Sequence, residues 1–106
     1  MATAALTEAV YYILLALMRP LHGYGIMQKV QELSHGRVRL AAGTLYGALS
    51  TLLEKGWICS LPESRGERKK EYLITETGKE MVRGEIERLT ELLDNGKQIW
   101  GEMDDA

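Results

Sequence analysis

The chain holds one cysteine and two prolines among 106 residues, and its longest apolar stretch, Ala9 to Met18, is ten residues between Glu8 and Arg19. A single cysteine excludes an intrachain disulfide framework and, with no partner ligand near it, fits a reducing compartment. Cys59 itself reads as a small hydrophobe within a strand. Ten residues fall far short of the roughly 20 that a bilayer span requires. A secretory signal places basic residues before its apolar stretch, whereas the first one here, Arg19, follows it. The expected location is cytoplasmic, with no membrane contact. Aspartate is missing until Asp94, no serine or cysteine stands on a nucleophile turn, and His22 and His35 have no carboxylate, cysteine or second histidine at ligand spacing. These gaps argue against an enzyme and against a metal site, and no cofactor is expected. Gly23-Tyr24-Gly25 lacks the strand and third glycine of a nucleotide-binding turn, and reads as tight packing where a helix starts.

What is present describes a folded chain of about one domain. With 45% hydrophobic and 26% charged residues, the composition is that of an ordinary globular protein. The net charge of −2 divides unevenly: residues 1–75 carry nine Lys/Arg against six Asp/Glu, and residues 76–106 carry four against nine. A basic half joined to an acidic one suits a module that grips a polyanion with one end, because binding follows the local field and not the sum.

Apolar periodicity supplies the elements. Leu6, Val10, Ile13, Leu14 and Leu17 mark one face of a first helix, capped by Thr7 or Thr3 and ended by Arg19-Pro20. A second helix starts near Gly23, shows Ile26, Met27, Val30 and Leu33 on one side, and ends at Ser34-His35-Gly36. Arg37-Val38-Arg39-Leu40 alternates basic and apolar residues, which predicts a short half-buried strand. A third helix from about Ala42 to Lys55 buries Leu45, Ala48, Leu49, Leu52 and Leu53, with Gly56 at its end. Trp57–Leu61 and Glu71–Thr75 have strand character around the polar stretch Pro62–Lys70, giving a β-hairpin with a long basic loop. Thr75 caps a fourth helix that extends to about Trp100, with Glu76 in its first turn where the helix dipole favours negative charge. Tyr11, Tyr12 and Tyr24 are expected at the core or an interface.

On that last helix Val82, Ile86, Leu89, Leu93, Gly96 and Trp100 follow steps of four, three, four, three and four between almost wholly charged flanks. This is the seam spacing of a helix that packs lengthwise on another. A helix of about 25 residues is close to 38 Å long, more than a core of about 75 residues covers. Its partner is expected to be the same helix of a second copy, making a homodimer.

Three helices, a two-stranded wing and a long helix make a mainly α chain with a small β-hairpin: a winged helix-turn-helix domain over residues 1–75, then a C-terminal dimerisation helix and tail over 76–106. In that arrangement the third helix enters the DNA major groove while flanking parts hold phosphates. Opposite its leucines lie Gly43, Gly47 and Ser50, with Thr44 and Thr51 on one flank and Tyr46 on the other. Small residues let such a helix sink into a groove, and hydroxyls donate or accept toward bases and phosphates. No Lys or Arg lies on that face, so bidentate guanine readout from it is excluded, and DNA shape and the wing must contribute. Arg65, Arg68, Lys69 and Lys70 in the loop supply phosphate-neutralising charge. The alternative is a winged helix used for protein contacts without direct DNA binding, its basic loop facing an acidic partner.

Several segments together resemble the PadR family of transcriptional regulators. They are Leu21-His22-Gly23-Tyr24-Gly25-Ile26, Gly43-Thr44-Leu45-Tyr46 with Ala48-Leu49, Leu53-Glu54-Lys55-Gly56-Trp57-Ile58, Arg68-Lys69-Lys70-Glu71-Tyr72, and Leu73-Ile74-Thr75-Glu76-Thr77-Gly78. The likeness covers about residues 6–100, and the single helix after the wing is similar to the short subfamily, whose members include multidrug-responsive repressors of transporter genes. It implies a dimeric repressor that binds a pseudo-palindromic double-stranded DNA operator and is released by a small molecule. It would place Thr44 and Tyr46 at the DNA surface and Arg68, Lys69 and Lys70 in the wing. It also implies a second role for Trp100, as the tryptophan that stacks a flat aromatic or drug-like effector between subunits.

Overall fold

The computed structural model describes residues 5–62 and 69–104. Thr7 caps α1 (Glu8–Ala16), its Oγ1 accepting the Val10 N–H at 3.2 Å. The helix stops well short of Pro20, and the Leu17 carbonyl beyond it accepts the Ile74 N–H at 2.8 Å. Leu21–His22 form β1, a two-residue strand, and His22 then caps α2 (Gly23–Leu33) by accepting the Gly25 N–H on Nδ1 at 3.2 Å. His22 is thus a helix cap. The end of α2 is turned by His35 and Gly36 in succession, with φ of 55° and 80°.

The strand expected at Arg37–Leu40 does not form. Ser34 occupies that backbone instead: its Oγ accepts the Val38 N–H at 2.9 Å and lies 3.4 Å from the Val38 carbonyl. The strand that does form, β1, joins β2 (Ile58–Ser60) and β3 (Glu71–Ile74) in an antiparallel sheet of order β1-β3-β2. Its register sets Leu21 beside Tyr72, Cys59 beside Leu73 and Ile58 beside Ile74. The small hairpin of the sequence reading is therefore the larger part of a three-stranded sheet, and Cys59 is half-buried on its edge strand.

Helix α3 (Ala42–Glu54) buries Leu45, Leu49 and Leu52 against Ile13, Leu14, Leu17, Ile26 and Val30, while Leu53, predicted inside, is exposed. Each of these side chains contributes about 2–3 kcal/mol through burial, and together they fix the orientation of α3. Gly56, at φ 74°, turns the chain into β2.

The fourth helix, α4 (Glu76–Asp104), runs 29 residues and ends beyond Trp100. Thr75 caps it as expected, accepting the Gly78 N–H at 3.1 Å and donating to the Gly56 carbonyl at 2.6 Å. The root of α4 belongs to the core, which corrects one seam assignment: Val82 is buried among the protomer's own residues. Glu85 is buried beside it, accepting both Arg88 guanidinium contacts at 2.7 and 2.8 Å and the Leu6 N–H at 3.2 Å. From Leu89 to Met103 every residue is exposed. The protomer consequently measures 65 × 32 × 20 Å.

The Arg88 guanidinium holds the Glu85 carboxyl below its ordinary value, with the Leu6 N–H helping and burial opposing. A depressed carboxylate stabilises the fold above its unfolded pKa and loses that contribution as pH falls through the folded value. Glu85→Gln is expected to cost about 1–2 kcal/mol near pH 7. The gap to the native chain should narrow as pH drops from about 5 toward 3. Thermal melts of both chains across that range test this; a gap independent of pH would show that the charge of Glu85 contributes nothing.

Candidate nucleic-acid interface

Because the leucines fix one side of α3, the opposite side is presented outward: Gly43, Thr44, Gly47, Ser50 and Thr51 are all exposed. A Cβ added at Gly43 or Gly47 would meet nothing within 4 Å, so neither glycine serves packing inside the protomer. No side chain caps the N-terminus of α3, leaving the positive end of its dipole uncompensated by the cap residue Ala41.

Two residues of the predicted set have further tasks. Tyr46 is half exposed, and its phenol lies over Gly23, where an added Cβ would strike the hydroxyl. The bare backbone at the start of α2 leaves room for that phenol, and Tyr46 joins the contact to the outer face. Thr51 donates through Oγ1 to the Gly47 carbonyl at 3.2 Å and borders a groove of about 380 Å³ between α3, Trp57 and Met81. Its hydroxyl is engaged within its own helix. Lys55 lies on the same flank, its Nζ 4.7 Å from the Trp57 ring centroid.

Lys69 and Lys70 are exposed and lead directly into β3. Arg65 and Arg68, the other predicted cations of the wing, lie outside the described residues. The phenol of Tyr72 in β3 is buried, which raises its pKa, and the neighbouring Tyr46 adds to the rise.

Arg39 is a further exposed cation near the start of α3. It is exposed three residues before α3, its Nε donating to the Gly36 carbonyl at 3.2 Å. Arg37 is paired with Glu8. The alternation of basic and apolar residues over Arg37–Leu40 is the only sequence signal at this position, and it points to a strand. Tyr24, expected at the core or an interface, lies outside the protomer's core, its hydroxyl accepting from Gln28 at 3.3 Å.

Along α4 the exposed apolar residues are Ile86, Leu89, Leu92, Leu93, Ile99, Trp100 and Met103. Leu92 and Ile99 widen the stripe, so one flank is apolar and not charged. Among the described residues no cluster of ligating side chains suits a metal, and no helix is long and apolar enough to cross a membrane.

Residues 13–84 match the family model described as the transcriptional regulator PadR-like family. The chain belongs to that family. The PadR-like fold extends through the arm: a PadR family transcription regulator from Clostridium difficile R20291 superposes with a TM-score of 0.74 at 21% identity, covering 89% of this chain and 99% of that one. Bacillus subtilis PadR, solved in complex with operator DNA, gives a TM-score of 0.64 at 25% identity, over 76% of this chain and 47% of that one. A protein of 37.1 kDa in transposon TN4556 of Streptomyces fradiae is 36% identical over 73 residues, 69% of this chain. This chain spans 20% of that relative's length. The PadR-like chain is thus a winged-helix member of a family of transcriptional regulators, with a three-stranded antiparallel sheet where a two-stranded hairpin was expected.

Proposed function

We propose that this PadR-like chain is a homodimeric, sequence-specific DNA-binding repressor whose grip on an operator is released by a small aromatic or drug-like effector. The observation that carries the DNA reading is the outward face of α3, built of glycines and hydroxyls, in a chain that also exposes Lys69 and Lys70 at the root of the wing. Such a face enters a major groove closely, and the lysines neutralise phosphates beside it. That the Bacillus subtilis relative was solved on operator DNA supports the same reading.

Titration of a fluorescent duplex at two salt concentrations tests it. Binding should fall steeply with salt. In the double variant Lys69→Ala with Lys70→Ala, the slope of log K against log salt should drop by about 2, with affinity roughly tenfold weaker at moderate salt. Absence of duplex binding even at low salt would transfer the face to a protein partner.

The effector reading attaches to Trp100, which is 73% exposed beside Gly96, Lys97 and Gly101 and offers a bare indole face. Planar aromatic cations added to the titration should displace the native chain from DNA and leave Trp100→Ala bound. Equal displacement of both would remove Trp100 from that role.

A further inference from the structure

The effector reading above concerns the outward half of α4, whereas the groove beside Thr51 lies in the winged-helix part of the chain. Its apolar walls are Leu6 and Val10 at the start of α1, Ala48 and Leu52 of α3, Trp57 ahead of β2, and Met81 near the root of α4. Leu52 is buried and the other five are half-buried, so they keep apolar surface that the described residues do not cover. The space they enclose, about 380 Å³, falls near the lower end of the roughly 300–1,000 Å³ found for small-molecule sites.

The polar groups restrict what can fill it. Thr7, Thr51 and Lys55 are the polar side chains of the lining among the described residues. Thr7 is engaged in capping α1, and Thr51 gives its proton to the Gly47 carbonyl. Lys55 is exposed and takes part in none of the ion pairs of the described residues. Its ammonium stands over the Trp57 ring, which holds a positive charge beside the apolar walls. No Asp or Glu is among the described lining residues, so nothing in the groove balances that charge. An apolar body with an anionic head is complementary to this arrangement, and a cationic head is not. The body is best aliphatic. Trp57 is the one aromatic residue of the described lining, and a ring stacked on its face toward Lys55 would have to displace the ammonium. A flexible chain packs on Val10, Leu52 and Met81 without needing that face.

We infer that this groove binds a linear aliphatic monocarboxylate, its chain against Val10, Ala48, Leu52 and Met81 and its carboxylate meeting Lys55. The site is separate from the one proposed at Trp100, and its occupancy does not depend on DNA binding. Because its walls belong to α1, α3 and α4 together, an occupant touches both the outer helix and the root of the arm.

Equilibrium dialysis of the full chain against octanoate, without DNA, tests the site. One octanoate should bind per protomer, and hexanoate roughly tenfold more weakly, since each methylene removed from water is worth about 0.8 kcal/mol, or close to fourfold. Octylamine, the same chain with the opposite charge, should bind at least tenfold more weakly than octanoate, attraction having become repulsion. Lys55→Met keeps an apolar stem beside Trp57 and should weaken octanoate roughly fivefold. Ala48→Leu fills the groove and should abolish binding. Should Ala48→Leu fail to fold, Lys55→Met and the comparison of octanoate with octylamine still decide. Equal binding of octanoate and octylamine, or octanoate binding that survives Ala48→Leu in a folded chain, overturns the site. So does an absence of binding to the native chain at millimolar octanoate; binding regained in Leu89→Glu would then assign the groove to a second copy. None of these failures touches the DNA reading, which the duplex titration tests independently.

Discussion

Leu89→Glu is expected to run as a monomer in light scattering and to lose at least a hundredfold in operator affinity. Leu89 is 40% exposed and lies outside the protomer's hydrophobic core, so the variant should fold and melt within about 0.5 kcal/mol of the native chain. In the dimer the substitution appears twice, each time placing a carboxylate against an apolar partner without a counter-charge. Burying an unpaired charge costs several kcal/mol, so two copies cost more than a standard-size interface of this kind can spare. DNA binding falls with it because a single outer helix contacts one half-site, whereas the pair benefits from effective concentration. Native mass with native affinity would remove α4 from the interface.

Gly78→Ala is the second large effect, and its sign separates two pressures. In an exposed helix the change would stabilise by about 1 kcal/mol. Here a Cβ would strike the Trp57 carbonyl oxygen and come within 2.6 Å of the Ile74 side chain. The Trp57 backbone cannot yield, because its N–H donates to the Leu52 carbonyl at 3.1 Å and its carbonyl accepts the Thr75 N–H at 3.0 Å. A loss of about 3 kcal/mol is expected, lowering the melting temperature by roughly 10–20 °C. A variant that melts above the native chain would mean that the root of α4 is not pressed onto the sheet.

Helices were legible in the sequence where one residue type repeats on a face. The leucines of α3 and the Thr75 cap are read correctly because they depend on spacing within a few residues. What escaped depends on distant partners. Leu21 and His22 form a strand only because β3 offers its free edge, and two residues carry no periodicity. Arg37–Leu40 has strand alternation but no neighbour, since Ser34 takes its backbone. Val82 and Leu89 hold equivalent positions on one helical face, and only the packing of α1 and β3 on α4 decides that one is covered and the other is not. The exposure of Gly43, Thr44, Gly47, Ser50 and Thr51 on α3 follows from their places opposite the leucines. That Tyr46 also clasps Gly23 was invisible without the fold.

The ion pair at the root of α4 bears on engineering. Leu6 and Glu85 are 79 positions apart and are tied by a hydrogen bond through a buried carboxylate. A chimaera that grafts this DNA reader onto another regulator's arm and splices at Thr75 would strip Val82 from its socket and leave the Leu6 amide without its acceptor. The junction has to fall after Arg88, so that the donor keeps the first three turns of its own arm and only the outward half is exchanged.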